Sequence, residues 1–159
     1  MEIKRYWQSF RLLTIPSGVK RAEYLKKKKV FGSIGDHVMI QSRKIPLYPE
    51  LIFFGSNVRV ASNVTFVTHD VVHNMLNHLP KSLGDGYTFK EKKGQIIVGN
   101  NVFIGTNSTI MYDVTIGNNV VIGAGSIVTK DIPDNSVCVG VPCKVIGDFK
   151  TFVEKRKDQ

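Results

Sequence analysis

Four histidines carry most of the chemistry that this chain could perform: His37, His69, His73 and His78. A neutral imidazole accepts a proton near neutral pH, and three imidazoles with one water can form a catalytic zinc site. Only His69 marks the junction at which a regular repeat ends and an irregular segment begins. This position singles out His69 as the residue on which the chemistry depends.

The elements that must position His69 come from a six-residue repeat between residues 98 and 132. Such a period is foreign to amphipathic helices and alternating strands, and it is typical of a parallel β-helix. Corner sequences such as Gly99-Asn100-Asn101 indicate backbone near the left-handed region, which Gly and Asn tolerate best. Each hexad then supplies one strand and one corner, and its opening aliphatic residue points into the prism: Val98, Ile104, Ile110, Ile116, Ile122 and Val128.

The same six-residue pattern, opened by a large apolar residue, occurs upstream in three further hexads, at residues 34–39, 54–59 and 60–65. Two interruptions break it, because 14 residues separate Ile40 from Phe54 and 32 separate Phe66 from Val98. Residues 70–95 are polar and irregular. We therefore expect a long loop extruded from the solenoid, and such loops tend to carry binding surfaces.

These patterns predict an all-β fold, a parallel β-helix of hexapeptide repeats with a short N-terminal helical segment and one long extruded loop. We divide the chain into a basic N-terminal helical segment at residues 1–29, a β-helix domain at residues 30–147 and a basic C-terminal tail at residues 148–159. The loop at residues 70–95 belongs to the β-helix domain. A chain of 159 residues is long enough to bury a core.

The formal net charge of +9 is concentrated at the two ends of the chain. In the segment 17–29, Ser17 is expected to cap a short helix with Val19, Ala22 and Leu25 facing inward. The basic residues there form either a solvated helix face or a surface that attracts phosphates, on a cofactor or on an anionic membrane. Nucleic acid is not expected as a partner, because the aromatic residues are not interleaved with the charges.

Several other classes are disfavoured by the sequence. The longest apolar runs are far shorter than a membrane span, and no apolar segment follows residues 1–5, so we expect a cytoplasmic protein. Cys138 and Cys143 lack a second pair and are expected to be reduced thiols. The sequence also contains no Gly-x-Ser-x-Gly elbow, phosphate loop or dinucleotide fingerprint.

Two stretches near the C-terminal end resemble a known signature. They are residues 122–133, Ile-Gly-Ala-Gly-Ser-Ile-Val-Thr-Lys-Asp-Ile-Pro, and residues 139–146, Val-Gly-Val-Pro-Cys-Lys-Val-Ile. Over roughly residues 30–147 the chain resembles hexapeptide-repeat acyltransferases, above all the galactoside and maltose O-acetyltransferases and their relatives in polysaccharide biosynthesis. The resemblance implies a left-handed β-helix, a homotrimer with active sites between neighbouring subunits, and acetyl-CoA as the acyl donor without a metal.

The same resemblance implies that His69 is the general base, since a histidine at this junction has that role in the family. It would take a proton from a sugar hydroxyl that attacks the thioester, which contributes about 10²–10⁴-fold in rate. A backbone N–H of the adjacent coil would hold the oxyanion. Asp70 would orient the ring or bind the acceptor, or else accept hydrogen bonds from local N–H groups. His73 and His78 would line the acceptor pocket or be exposed loop residues.

In the similar acetyltransferases, small residues at coil corners let the pantetheine arm of the donor approach the backbone. The matching positions here are Thr106, Ala124, Thr129 and Lys130, and Lys144 lies where a basic residue can pair with the donor's phosphates. Each also has a purely structural explanation. Alanine fits a tight corner whatever it binds, and an exposed lysine is simply solvated.

On the acceptor side the chain departs from the galactoside enzymes. Where those have an Asn and an Asp before the catalytic coil, the corresponding places here are near Gln41 and Pro49. Gln41 can still hydrogen-bond a hydroxyl, whereas Pro49 cannot. We therefore expect a sugar on a lipid-linked or nucleotide-linked glycan precursor rather than a simple galactoside, with the basic N-terminal segment facing a membrane or a phosphate.

Other functions stay open at the level of sequence. The same base would serve N-acetylation of an amino sugar, and the acyl chain could be longer than acetyl. Some hexapeptide β-helices are zinc carbonic anhydrases, and the spacing of His37, His73 and His78 is not unlike theirs, although the intact C-terminal signature favours an acyltransferase. A non-enzymatic scaffold is the remaining alternative.

Overall fold

A computed structural model describes residues 2–157, with the side chains of residues 5–157. Met1, Asp158 and Gln159, which belong to the predicted terminal segments, lie outside the described residues. The strands are, in chain order, β1 (Ser33–Ile34), β2 (Met39–Ile40), β3 (Ile52–Phe54), β4 (Val58–Val60), β5 (Thr65–Phe66), β6 (Ile96–Val98), β7 (Val102–Ile104), β8 (Thr109–Ile110), β9 (Val114–Ile116), β10 (Val120–Ile122), β11 (Ile127–Val128), β12 (Ser136–Val139) and β13 (Lys144–Asp148). The helices are α1 (Glu2–Leu13), α2 (Gly18–Lys27), α3 (Val72–Leu76), α4 (Lys81–Gly84) and α5 (Phe149–Lys157), with a 3-10 helix at Pro49–Leu51.

The strands form three sheets that the chain visits in turn. Sheet A has the order β1-β3-β6-β9, sheet B the order β13-β12-β10-β7-β4-β2, and sheet C the order β11-β8-β5. Neighbouring strands are parallel, except that β13 is antiparallel to β12. Val98 pairs with Ile116 and Ile104 with Ile122, so one coil takes 18 residues, or three hexads. The predicted coil of parallel strands is confirmed.

The aliphatic residues that open the hexads fill the interior of the prism. Ile104, Ile110, Ile116 and Ile122 are 0% exposed, and Val98 and Val128 are buried with them. Each of these side chains rests on its equivalent in the next coil, because the parallel register places them one above the other. Burial of a complete Ile side chain stabilises the fold by about 1.5–3 kcal/mol, and in a stack of coils this gain comes from nearest neighbours.

At the corners, the predicted left-handed backbone is adopted by Asn residues and by Gly125, with a φ of 69°, but not by the glycine that opens a Gly-Asn-Asn corner. Asn101 and Asn119 have φ values of 57° and 56°, and the side-chain amide of Asn101 donates to that of Asn119 at 2.8 Å. Gly99 is needed for space instead. A Cβ on Gly99 would lie 2.7 Å from the carbonyl oxygen of Gly117 in the next coil, a distance that real Cβ atoms do not show.

The two interruptions of the repeat are insertions at corners, so the strands on either side keep their register. Ile34 pairs with Phe54, and Phe54 pairs with Val98. These spacings of 20 and 44 residues exceed the 18-residue coil by two and by 26 residues. The longer insertion leaves between β5 and β6 and carries α3 and α4.

The prediction that residues 128–133 form the last complete hexad is wrong, because the strand register shifts within them. Ile132 forms a parallel bridge with Ile116, and Val120 pairs with Ser136, so the final coil is two residues short. Ile132 therefore opens the last coil, four residues after Val128.

The helix predicted within the segment 17–29 is present as α2. The Ser17 side chain accepts a hydrogen bond from the N–H of Lys20, which confirms the predicted cap. Ala22 and Leu25 are buried as expected, but Val19 is 44% exposed, so that part of the prediction is wrong. Arg21 points inward instead, because its guanidinium donates hydrogen bonds there to the backbone carbonyls of Ile40 and Ile15.

Beyond the parallel coils the chain continues as ordered structure. Strand β13 pairs with β12, and α5 follows it without a break. The segment that composition marked only as a basic tail is thus largely helical, and the basic residues Lys155, Arg156 and Lys157 form its last turn. Within residues 2–157, no helix is both long and apolar enough to cross a lipid bilayer.

Replacing Ile104 by alanine should destabilise the protein by about 2–5 kcal/mol, because the cavity left between two coils cannot fully collapse. Ile146→Ala is the matched control, since Ile146 is 65% exposed and its truncation should cost about 0.5 kcal/mol or less. Urea unfolding of the two variants compares the losses. Equal losses of unfolding free energy in the two variants would show that Ile104 is not packed between two coils.

Candidate active site

A cleft of about 550 Å³ opens beside the first two coils, next to sheet C. Residues 41–47, which follow β2, form one wall, and residues 62–67 around β5 form the other. His69 completes the lining, and Gln41 lies in the same cleft. The structure therefore brings together two of the residues predicted to act on an acceptor.

The backbone at the base of the long loop holds His69 in place. Thr68 is buried on the coil side, where its hydroxyl donates to the carbonyl of Leu47 at 2.6 Å. The carbonyl of Thr68 accepts from the N–H of Gly94 at 2.9 Å, and His69 itself faces Lys93 across an antiparallel bridge. The start and the end of the loop thus fix the backbone of His69 from both sides.

The imidazole of His69 is half-buried and packs edge-on against Tyr48, with ring centroids 5.3 Å apart. Its Nδ1 is buried and has no hydrogen-bond partner among the described residues. A buried polar atom without a partner costs free energy, and native structures keep few of them. Nδ1 of His69 is one such exception among the described residues, and Nδ1 of His73 is another.

Tyr48 belongs to a polar cluster that sequence reasoning missed. It has a φ of 48°, and its hydroxyl donates to the Glu91 carboxylate at 2.9 Å. Lys93 lies 3.9 Å from the centroid of the Tyr48 ring and 3.0 Å from Glu91 Oε2. The hydrogen bond from Lys93, and then that from Tyr48, lower the pKa of Glu91, so this carboxylate stays ionised beside His69. The cluster fixes the Tyr48 ring against which the imidazole packs.

Asp70 is held by the loop and by sheet C rather than by His69. The Tyr112 hydroxyl donates to its Oδ2 at 2.7 Å, and the N–H of Val72 donates to its Oδ1 at 3.1 Å. These two hydrogen bonds, in that order, lower the pKa of Asp70. The alternative that Asp70 accepts from a local N–H group is confirmed. Among the described residues no hydrogen bond joins this carboxylate to the ring of His69.

Gln41 is oriented by a buried arginine. Arg21 Nη2 donates to Gln41 Oε1 at 2.6 Å, while its Nε donates to the carbonyl of Ile40 at 2.9 Å. Burial lowers the pKa of Arg21, yet a guanidinium remains charged in proteins. The Gln41 amide nitrogen also donates to Met39 Sδ at 3.7 Å, so the side chain offers the cleft one further N–H donor and one free lone pair on its oxygen.

The remaining histidines lie in three different surroundings. His73, on α3, is half-buried, and its Nδ1 is buried without a partner among the described residues. His78 is exposed, with its Nδ1 2.6 Å from the carbonyl of Asn74. His37 occupies an exposed corner of the first coil, with a φ of 56°. Within the described part of the chain, no group of three His, Cys, Asp or Glu residues is close enough to hold a metal ion.

The five residues predicted to bind the donor lie on the outside of the prism, in three places. Thr106 and Ala124 are stacked at the corner between sheets B and C, above Ser62, whose carbonyl accepts from the Thr106 hydroxyl at 2.7 Å. Thr129 and Lys130 follow β11 at the other edge of sheet C. Lys144 begins β13. One subunit alone does not gather all five around His69.

The residues that support His69 and Gln41 share a reason for having been missed. Glu91 and Lys93 reach Tyr48 only because the loop returns to its own starting point. Arg21 resembled part of a solvated basic face, since its partners are backbone carbonyls that leave no mark in the sequence. One available signal was Tyr48 itself, an aromatic residue between two prolines at the first interruption of the repeat.

The family model described as "Bacterial transferase hexapeptide (six repeats)" matches residues 95–130. Protein CapG of Staphylococcus aureus is 44% identical over 113 residues, which are 67% of this chain and 58% of that protein. Galactoside O-acetyltransferase of Escherichia coli K12 is 37% identical over 151 residues, 84% of this chain and 71% of that enzyme. This chain thus spans somewhat more than half of CapG and most of the galactoside enzyme.

A solved structure of galactoside acetyltransferase in complex with coenzyme A is also similar, with a TM-score of 0.63 and 29% identity over 96% of this chain and 82% of that one. The stacked coils and the matched repeats define the class of bacterial hexapeptide-repeat transferases. Within that class, the chain belongs to the family of galactoside O-acetyltransferase, as the resemblance predicted.

Replacing Tyr112 by phenylalanine should raise the pKa of Asp70 toward its ordinary value, because the variant loses the hydrogen bond that lowers it most. Tyr87→Phe is the control, since Tyr87 is exposed. Carbon NMR titration of isotope-labelled aspartate measures the pKa of Asp70 in the wild type and in both variants. An unshifted Asp70 in Tyr112→Phe would show that this hydrogen bond is not formed in solution.

The sign of the effect on stability follows from the same shift. A lowered pKa stabilises the folded state above the pKa of the unfolded carboxyl, and this contribution is lost as the pH falls through the folded value. On acidification through that range, the wild type should therefore lose more stability than Tyr112→Phe.

Proposed function

We propose that this protein transfers the acetyl group of acetyl-CoA to a hydroxyl of a sugar or glycan precursor in a ternary complex. The observation that carries the proposal is the fixed position of His69 at a polar cleft, in a chain that belongs to the family of galactoside O-acetyltransferase.

In this proposal His69 acts as the general base. The imidazole accepts the proton of the acceptor hydroxyl while the oxygen attacks the thioester carbonyl carbon. The new C–O bond forms, the C–S bond breaks, and the thiolate of coenzyme A takes up the proton from the imidazolium. A backbone N–H of an adjacent coil stabilises the oxyanion that develops on the carbonyl. Tyr48 acts as a positioning residue, because its ring packs against the imidazole.

We assign the acetyl-CoA site to the surface on either side of sheet C. Thr106 and Ala124 present a corner with little side-chain bulk, which suits the pantetheine arm. Thr129 and Lys130 flank the opposite edge of the sheet, and Lys130 and Lys144 are exposed cations suited to the phosphates. A related galactoside acetyltransferase binds coenzyme A in its solved structure, which supports acetyl-CoA as the donor.

We further propose that the β-helix is left-handed and that three copies assemble around the site. In support, the donor residues at the corner between sheets B and C are separated from the His69 loop by the width of sheet C. A second subunit facing this wall would bring its own corner to the cleft.

For the acceptor we propose a lipid-linked or nucleotide-linked glycan, with Gln41, Asp70 and His73 as the residues that bind it. The second amide N–H of Gln41 would donate to a sugar oxygen, because Arg21 and Met39 fix the orientation of the amide. Asp70 would accept from a hydroxyl with the lone pairs left free by Tyr112 and the local N–H. His73 would bind the acceptor from its place on α3 in the loop.

Replacing His69 by alanine should lower acetyl transfer on the order of 10²–10⁴-fold, because the variant loses the assigned general base. Release of coenzyme A, measured with a panel of free sugars, amino sugars, nucleotide sugars and lipid-linked glycans, reports turnover. His78→Ala is the matched control, since His78 is an exposed histidine of the same loop. Its activity should equal that of the wild type.

Light scattering should show the same assembly for wild type and His69→Ala. Turnover in His69→Ala equal to that of the wild type would overturn the assigned base. A clear preference for amino sugars would assign N-acetylation instead.

Replacing Lys130 or Lys144 by alanine should raise the KM for acetyl-CoA about tenfold and leave kcat nearly unchanged, because each variant loses one charge-assisted contact with a phosphate. Lys81→Ala, at an exposed lysine of the loop, serves as the control. Steady-state kinetics at saturating acceptor separate the two parameters. A fall in kcat at unchanged KM would place these lysines outside the donor site.

A further inference from the structure

Helix α1 turns its aromatic side outward. Tyr6, Trp7, Phe10 and Leu13 are 62%, 69%, 61% and 59% exposed, while Leu12 on the other side of the helix is buried. At 100° per residue these four side chains lie within one continuous arc of the helix. Exposed apolar side chains gathered in one patch mark an interaction surface.

The orientation of this arc is set by contacts on the opposite side of α1. Leu12 joins the hydrophobic core, and Arg5 Nη1 donates to the carbonyl of Ile45 at 3.5 Å. Rotating the helix to hide the aromatic arc would expose Leu12 and break this hydrogen bond. The outward arc is therefore a feature of the docked helix.

The N-terminal segment that carries the arc is rich in basic residues, although Arg21 is buried and Lys26 is paired with Asp36. Residues 1–29 contain nine Lys and Arg but two Glu, so this segment supplies +7 of the chain's net charge of +9. Lys27, Lys28 and Lys29 are exposed, and no acidic side chain within residues 5–157 forms an ion pair with them.

Aromatic and basic groups meet in a small cleft between α1 and α2. It has a volume of about 450 Å³ and is lined by Trp7, Gln8, Arg11, Tyr24 and Lys28. Two cations and an amide beside an indole and a phenol form a place where a phosphate can sit at the level of the aromatic rings.

We propose that the face made by the exposed arc of α1 and by Arg11 and Lys28 beside it binds the surface of an anionic phospholipid bilayer, with Lys27 and Lys29 next to Lys28 in the chain adding charge. Interfacial helices combine Trp, Phe and Leu on one face with Lys and Arg beside them, and the rings lie at the level of the headgroups. The basic residues add attraction to anionic lipid.

The charge argues against the other occupants of such a patch. Two copies that meet through this same surface would bring two basic segments together, which is unfavourable, and Trp7 emission without lipid tests whether a neighbour in the proposed three-copy assembly covers the patch with a different surface. A nucleic acid would use the cations but leave Phe10 and Leu13 in water. A bilayer satisfies both kinds of side chain at once. This inference does not depend on the transfer reaction.

The protein carries its own probe, because Trp7 is the chain's single tryptophan and lies within the patch. We expect its emission to shift to shorter wavelength, and the protein to co-sediment, with vesicles of phosphatidylcholine and phosphatidylglycerol. Vesicles of phosphatidylcholine alone should give neither signal.

Two variants separate the apolar and the charged contributions. Phe10→Ser with Leu13→Ser should weaken vesicle binding about tenfold or more, since it removes two inserted side chains. Lys27→Glu with Lys28→Glu should weaken it at least about fivefold for each charge. The matched controls are Leu83→Ser, at a leucine 73% exposed in the loop, and Lys150→Glu with Lys155→Glu at the other end. Both controls should bind like the wild type.

Three results would overturn the proposal. The first is unchanged Trp7 emission with every vesicle. The second is equal binding to neutral and anionic vesicles. The third is a shift that grows with protein concentration in the absence of lipid and disappears with Phe10→Ser and Leu13→Ser, which would assign the patch to self-association. Unchanged thermal melting of each variant shows that the fold is intact.

Discussion

Each coil of this protein is stable only because of the coils on either side of it. Ile104 packs between Val60 below and Ile122 above, and the same holds along every interior column of the prism. The contact extends to the backbone, since a Cβ on Gly99 would collide with the carbonyl of Gly117. A structure held together in this way has no room for extra residues within its strands.

The site follows from that constraint. Extra residues must leave at a corner, and β6 must resume the register that β5 left, so the ends of the insertion are brought together. The hydrogen bonds of Thr68 and Asp70 to Gly94 and Lys92 close this seam, with His69 between them. The rigid coils thus fix the position of His69 at the base of the loop. A loop residue without such support would be mobile.

The sequence was most informative where one residue decides one position. The hexad openers, the cap at Ser17 and the departure of the chain after Thr68 all follow from local patterns. It was least informative where a partner is a backbone carbonyl or a distant side chain. Arg21 and Glu91 are examples, since their partners depend on how the coils and the loop return. The register of the last coil was predicted wrongly for another reason. Ile132 fits the pattern both as the fifth residue of a hexad and as the residue that opens one.

A stack of parallel coils has two open ends, and each presents strand edges to which another chain can add. At one end α2 lies across β2, and Arg21 occupies the carbonyl of Ile40. At the other end β13 turns back antiparallel along β12. Both closures come from residues that lack the hexapeptide pattern. The repeat thus determines how the prism grows, whereas these unrepeated segments determine where growth stops, and they separate a stack of fixed length from a fibre.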